Sequence, residues 1–467
     1  MAWLQREMLL FSSHVRLTGM QTTHPSGEEK NSPVIRPAVA QERLGFKLGI
    51  TTDTITSKSG LAVLHDAALA AGVVRSIREH LPVPGSNHGI RPEEYVMPLA
   101  LMFCGGGQSM EDIREIARDQ GLRELCGFKR IPSPDAVGTW LKAPRRITGL
   151  KPVNRHLCRV AIARSELTEF TLDTDATLIE TEKSSAKMSY EGFKAFAPLL
   201  SFLAELGLCV AGEYRNGNVS PAVGIKGQLV QTERFLKSMG KRLKYFRSDS
   251  AAYTAEVMNA CFDLSITFAI TADLDHAVKG LIAELPEQSW QRFQTPDGER
   301  TDREYAETVH CLGKSKRSFT LIVLRWPNPR PDLFEGQYRY HCIATNDYDR
   351  ATEPVIWFHN QRGNAENYNK EIKIGFGMDY TPCRSVRANA VYFEIGILAY
   401  NLVVAVKRLV LGGNWVTKTI ATLRWQLIFI AGKVVWHGRR LMLRVARCHY
   451  HLLADIRARL GPALSPT

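Results

Sequence analysis

Three carboxylates limit the folds open to this chain more than any other feature. They are Asp175 in TLDTDAT, Asp249 in YFRSDSAAY and Glu366 in HNQRGNAENYNKEIK. Carboxylates so far apart cannot form a local ion loop, whose oxygen ligands follow one another within about a dozen residues. They meet only if the chain folds back so that neighbouring elements of one sheet present them together. Gathered that way, they would suit two magnesium ions acting on a phosphodiester. Each also has a plainer use, since a lone strand-end aspartate commonly caps a turn.

The third string carries the most local geometry. Arg362, Glu366 and Lys373 stand at offsets of 0, 4 and 11, which on a helix fall within about 40° of one another. His359 extends that face if the helix begins early enough. A stripe of Arg, Glu and Lys suits a metal ligand flanked by two phosphate-holding cations. It equally suits a solvated face with i,i+4 pairing, and Lys370 and Glu371 add charge to the same segment. Downstream, Ala388 to Val406 is apolar enough to raise the question of a membrane span. Asn389, Glu394 and Asn401 interrupt it, so it is expected to be a buried core helix of a soluble protein.

The spacing His-x2-Arg-x3-Glu-x6-Lys resembles the Tyr-x2-Arg-x3-Glu-x6-Lys signature of bacterial insertion-sequence DDE transposases. The other two strings resemble that family's motifs in the same order. TLDTDAT is similar to its first-strand aspartate motif, with Thr177 two residues after Asp175. FRSDSAAY is similar to its second, with Ala251 and Tyr253 where glycine and another aromatic are more usual. AFAPLLSFLAELGLCVAGEYRNGNVSP looks like the strands between them, ending in a turn at Arg215 to Asn218. The resemblance runs roughly from Ile50 to Ala454.

It implies an α/β protein with an RNase H-like catalytic core and a β-rich insertion, preceded by a helical domain and followed by a basic helical tail. Asp175, Asp249 and Glu366 become the metal-binding triad, taking two Mg2+ ions for which Mn2+ may substitute. Asp173 is a further metal-binding candidate on the same strand face, with Asp175 favoured by its Asp-x-Thr spacing. Arg362 and Lys373 would contact phosphates near the element's end. His359 stands where tyrosine is usual and would bring pH dependence to a DNA contact. The partners implied are double-stranded DNA, as transposon ends and as target, and a second copy of the chain in a synaptic homodimer, with no membrane. The expected location is cytoplasmic and nucleoid-associated.

Composition agrees. A length of 467 residues with 45% hydrophobic content allows two or three cored domains, and a formal charge of +13 favours a polyanionic partner. Arg439, Arg440 and the arginines after them concentrate that charge near the C-terminus, where they either bind DNA or face solvent. The nine cysteines show no CxxC pair, so reduced, buried thiols are expected rather than a zinc site.

Read along the chain, residues 1–45 are polar and proline-containing and are expected to form a disordered extension. Residues 46–165 show helical periodicity and could include a helix-turn-helix. Residues 166–275 read as the first part of the catalytic core, 276–355 as the β-rich insertion, 356–410 as the second part of the core, and 411–467 as the basic helical region. In similar transposases such an insertion manages a DNA hairpin intermediate. Trp290 and Trp326 are therefore candidates for stacking on an extruded base, although a place in the insertion's own core is the commoner use of either.

Two other readings use the same residues. One is a metal-dependent nuclease without strand transfer; the other is a sequence-specific DNA-binding protein descended from a transposase and no longer catalytic. A tyrosine recombinase is disfavoured, because no Arg-His-Arg-Tyr constellation is evident.

Overall fold

The computed structural model describes residues 46–295, 297–315, 317–330 and 336–465. The extension expected over residues 1–45 lies outside them. The described residues fall into two units, 46–52 and those from 53 on; residues 46–52 carry no helix or strand.

The second unit opens with helices. Helix α1 (Ser59–Ala70) and α2 (Val73–His80) are parted by Gly72, whose φ of 72° is a left-handed conformation that glycine adopts without a Cβ clash. Helix α3 (Pro92–Cys104) begins on proline, and the Glu94 carboxylate reaches back to the Arg91 backbone N–H at 3.0 Å, which satisfies a donor the helix end would otherwise leave open. After short helices between Ile113 and Lys142, α4 (Arg146–Ala163) leads into the sheet.

Strand β1 (Glu169–Ala176) is buried from Phe170 to Thr174, the continuous pattern of a central strand covered on both faces. It pairs antiparallel with β2 (Leu199–Leu203), which pairs antiparallel with β3 (Leu208–Glu213). Helix α5 (Ile225–Lys237) then returns the chain to β4 (Arg242–Ser248), parallel to β1. Helix α6 (Ala255–Asp263) leads to β5 (Thr267–Ala272), parallel to β4. The spatial order is β3-β2-β1-β4-β5.

The insertion contributes β6 (Gln291–Gln294), β7 (Arg300–His310), β8 (Phe319–Pro327) and β9 (Tyr338–Thr345). These strands do not stand apart from the five strands above. β9 pairs antiparallel with β5, from Cys342 opposite Ala272 to Thr345 opposite Ala269, so all nine strands make one sheet. The open edge of β5 supplies the reason, because unpaired strand N–H and C=O groups recruit a further strand.

Helices α7 (Thr352–Asn360) and α8 (Gly363–Lys370) follow, and α8 runs into a wider i→i+5 turn, Glu371–Gly375. Helix α9 (Val386–Val406) ends in a second such turn, Lys407–Leu411. The stretch Val386–Leu411 is long and apolar enough to cross a membrane by composition, but 94% of its apolar window is buried inside the fold. It is the expected core helix, with Asn154 of α4 donating to the Glu394 carboxylate at 2.7 Å. One continuous apolar core runs from Leu61 to Leu464, joining the N-terminal helices to the sheet.

The C-terminal region departs from the expected helical tail. Strands β10 (Gly432–His437) and β11 (Arg440–Val445) form a hairpin before α10 (Arg447–Leu464). Its turn has Gly438 at φ 55° and Arg439 at φ 62°, the two positive values a tight I′ hairpin turn requires. The apolar run Val434–Trp436 is short and continuous, and such a run is ambiguous between helix and strand from periodicity alone.

Candidate active site

The parallel register of β1 and β4 sets Thr174 beside Ser248, so Asp175 and Asp249 follow as neighbours at the carboxyl ends of adjacent strands. In open α/β sheets that end is where sites form. Asp249 caps the turn after β4, accepting the Ala251 N–H at 3.1 Å and the Ser248 hydroxyl at 3.4 Å. Asp175 accepts the Asn369 side-chain amide at 2.6 Å. Burial, then the Asp249 carboxylate, push the Asp175 carboxyl up to about 6; Glu366 adds to the push and the Asn369 hydrogen bond opposes it. Burial also raises Asp249, against the pull of the Ala251 N–H.

Glu366 lies on α8, exposed, and pairs with Arg362 at 3.2 Å. Asn369, one turn on, is the residue of the same helix that touches Asp175. Lys373 points inward from the i→i+5 turn, donating to the Leu178 carbonyl at 2.7 Å and the Thr177 hydroxyl at 3.3 Å. It thus fixes the chain just beyond Asp175, and burial lowers its pKa.

Asp173 is buried, and Arg247 engages both its carboxylate oxygens, at 2.7 and 2.8 Å. His359 is 1% exposed. Its Nε2 meets the Thr271 hydroxyl at 3.1 Å, and burial, then His341, pull its pKa down to about 3. The imidazole is therefore neutral at ordinary pH, which removes the pH dependence expected of it. Trp290 and Trp326 are half-buried on the insertion, each under an arginine: the Arg325 guanidinium sits 4.0 Å from the Trp290 ring centre and that of Arg303 5.0 Å from Trp326. Arg439 and Arg440 lie at the exposed tip of the C-terminal hairpin.

Sequence reasoning missed Asn369 and Arg247 as side chains of this site. Both stand inside the motif strings, Arg247 two residues before Asp249 and Asn369 three after Glu366, and that placement was the available signal.

The donors fit a hard divalent cation, since all are oxygens and the repulsion that raises Asp175 is what such an ion relieves. Among the described residues, however, no three His, Cys, Asp or Glu side chains cluster closely enough to hold a metal as they stand. Asp175 and Asp249 stand as the neighbouring pair, while Glu366 is engaged by Arg362.

The chain matches no curated protein sequence. Among solved structures it is similar to a piggyBac transposase in a synaptic complex with hairpin DNA, at 10% identity and a TM-score of 0.41, over 73% of this chain and 74% of that one. Residues 42–463 match the family described as Transposase DDE domain group 1, and the chain therefore belongs to the DDE transposases.

Proposed function

We propose that this transposase cuts DNA at the ends of its own mobile element and joins the freed 3′ ends to target DNA, with Asp175, Asp249 and Glu366 holding the divalent cations. The observation that carries this reading is the neighbouring placement of Asp175 and Asp249, with the Asp175 carboxyl raised first by burial and then by Asp249 and Glu366. The strand order 3-2-1-4-5, with two parallel strands following the antiparallel three, supports an RNase H-like core.

Divalent cations at such a site neutralise charge on the attacking and leaving oxygens of the phosphodiester. The chain's own residues prepare the site for them. Asn369 fixes the Asp175 carboxylate through one oxygen. Lys373 pins the strand end at Thr177 and Leu178. Arg362 holds Glu366 until the acid turns inward, and its guanidinium is then released to receive a phosphate. Arg439, Arg440, Trp290 and Trp326 are assigned to DNA outside the reacting bond. His359, neutral and buried, acts by seating α7 against β5, and Asp173 by anchoring Arg247. A homodimer follows from the need to hold two ends at once.

The deciding experiment is metal-dependent cleavage of labelled DNA carrying the element's ends, with wild type beside Glu366→Gln. Cutting abolished in the variant, with end binding kept, is the expected result. Binding without cutting in both proteins would move the chain to the class of DNA-binding proteins that no longer catalyse.

A further inference from the structure

Helices α1, α2 and α3, with residues 127–130, line a cavity of about 370 Å³ that none of the roles above uses. Small-molecule pockets start at about 300 Å³, so it has room for a ligand. A glycine shapes its wall. Gly127, at φ 65°, ends the short helix Gln120–Cys126, and the Phe128 N–H turns back to the Arg123 carbonyl at 3.0 Å. Phe128 then stands edge-on to His65 of α1, with the ring centres 4.9 Å apart. Val74 and Met97 complete the apolar part of the lining.

Two buried side chains of the lining carry polar atoms that nothing satisfies. His65 is 6% exposed, and its Nδ1 has no hydrogen-bond partner among the described residues. Glu93, in the first turn of α3, is 9% exposed. Arg78 donates to its Oε1 at 2.9 Å, while its Oε2 is buried without a partner. An unmet buried group costs its full desolvation, most of all on a charged side chain. Two of them on one cavity call for something that completes both.

The charge of the lining narrows the choice. Arg78, Arg91, Lys129 and Arg130 stand there against two acids, Glu93 and Glu94. His65 adds no charge, because burial pulls its pKa down to about 4 against the pull of Asp66. An organic cation is repelled by the excess positive charge. A simple anion suits the cations but leaves Glu93 Oε2, which can only accept, unmet. A molecule with N–H donors on a flat ring and a negative tail meets every demand. We infer that the cavity binds a nucleotide whose base bears an exocyclic amino group. The amino group donates to Glu93 Oε2 beside His65, the ring lies against Phe128, and Arg91 and Lys129 hold the phosphate. Thymine does not fit this pose, since its N–H is flanked by carbonyl oxygens that a carboxylate repels. A free nucleotide and a base displaced from a DNA strand present the same groups. The assignment uses none of Asp175, Asp249 and Glu366, so a chain that never cuts DNA leaves it standing.

The test is metal-free calorimetric titration of the full chain with the four deoxynucleoside monophosphates, and then with short single strands of deoxyadenosine or of thymidine. The adenine, cytosine and guanine forms are expected to bind about tenfold or more tightly than the thymine form. Glu93→Gln can donate as well as accept, so it should erase that preference by admitting thymine. Lys129→Gln should weaken every nucleotide alike and keep the preference. If Glu93→Gln, which also gives up the Arg78 pair, does not fold, Phe128→Ala decides in its place, with all affinities expected to drop about tenfold from the lost stacking.

Selective binding of the strands alone, lost in the variant, would assign the cavity to a base within DNA. Monophosphates binding as tightly as the strands would assign it to a free nucleotide. Four monophosphates that bind equally, or as weakly as inorganic phosphate, with strands that show no preference, would overturn the proposal and leave the two polar atoms to water. A preference that survives unchanged in folded Glu93→Gln would overturn it as well.

Discussion

Arg247 meets Asp173 through two parallel hydrogen bonds, Nε to Oδ1 at 2.7 Å and Nη2 to Oδ2 at 2.8 Å, with both side chains at most 2% exposed. Its remaining nitrogen, Nη1, donates to the Phe358 carbonyl at 2.9 Å and to Gln361 Oε1 at 3.1 Å. One side chain therefore ties β1, just before Asp175, and β4, just before Asp249, to the segment that delivers Glu366.

Breaking that pair from one side strands a buried charge. Asp173→Ala is expected to destabilise the protein by roughly 3–5 kcal/mol, while Asp173→Leu combined with Arg247→Met should cost less stability than either single change. Urea denaturation of wild type and the four variants measures this. An Asp173→Ala protein within about 1 kcal/mol of wild type would show that the pair is not a structural anchor.

Asn369 is the direct hydrogen-bond partner of Asp175 from α8. Groups that orient a metal-binding side chain are worth about 10–100-fold in affinity or activity. Asn369→Leu should therefore slow single-turnover cleavage by that factor, with end binding unchanged and a higher cation concentration needed for half-maximal rate. Equal weakening of DNA binding would point to a collapsed helix instead.

How far the site could be read in the sequence depended on whether its causes were local. Asp175 and Asp249 stand at ends of strands whose apolar runs are visible, and their order in the chain matched a known pattern. The burial of His359 was not legible, because it is made by Thr271 and His341 from strands distant in sequence. The arginines over Trp290 and Trp326 are likewise set by the pairing of β7 and β8. The joining of the insertion to β5 is an edge-to-edge event with no local mark. Asn369 lay in plain view among other polar residues, and only the tertiary approach of α8 to β1 singles it out.

Glu394 gives a pH test away from the site. Burial pushes its carboxyl up to about 7, against the Asn154 hydrogen bond. The folded protein thus keeps a proton that the unfolded chain releases near the ordinary glutamate value. Stability is therefore highest below the unfolded pKa and falls as pH rises toward about 7, by on the order of 3 kcal/mol. Glu394→Gln, permanently neutral, should flatten that decline, so its thermal midpoint gains on wild type between about pH 5 and pH 8. Parallel pH profiles for the two proteins would contradict the assignment.

The hairpin of β10 and β11 offers a test in which stability and binding move apart. Arg439 holds a φ of 62° at the exposed tip, next to Gly438 and Arg440. A non-glycine residue there is disfavoured by roughly 1–2 kcal/mol, and a basic side chain kept in that position fits a ribbon presented to DNA, since a two-stranded ribbon can enter the major groove. Arg439→Gly relieves the backbone while giving the unfolded chain more freedom, so stability should stay level or rise by up to about 1 kcal/mol. DNA affinity should fall all the same, uniformly across sequences, with a salt slope less steep by about 1. Thermal melts and a salt titration on the same preparations measure both quantities. Unchanged affinity and slope in Arg439→Gly would remove the hairpin tip from the DNA-contacting surface, and a drop in stability would show that the tip's arginine is held by interactions other than those with DNA.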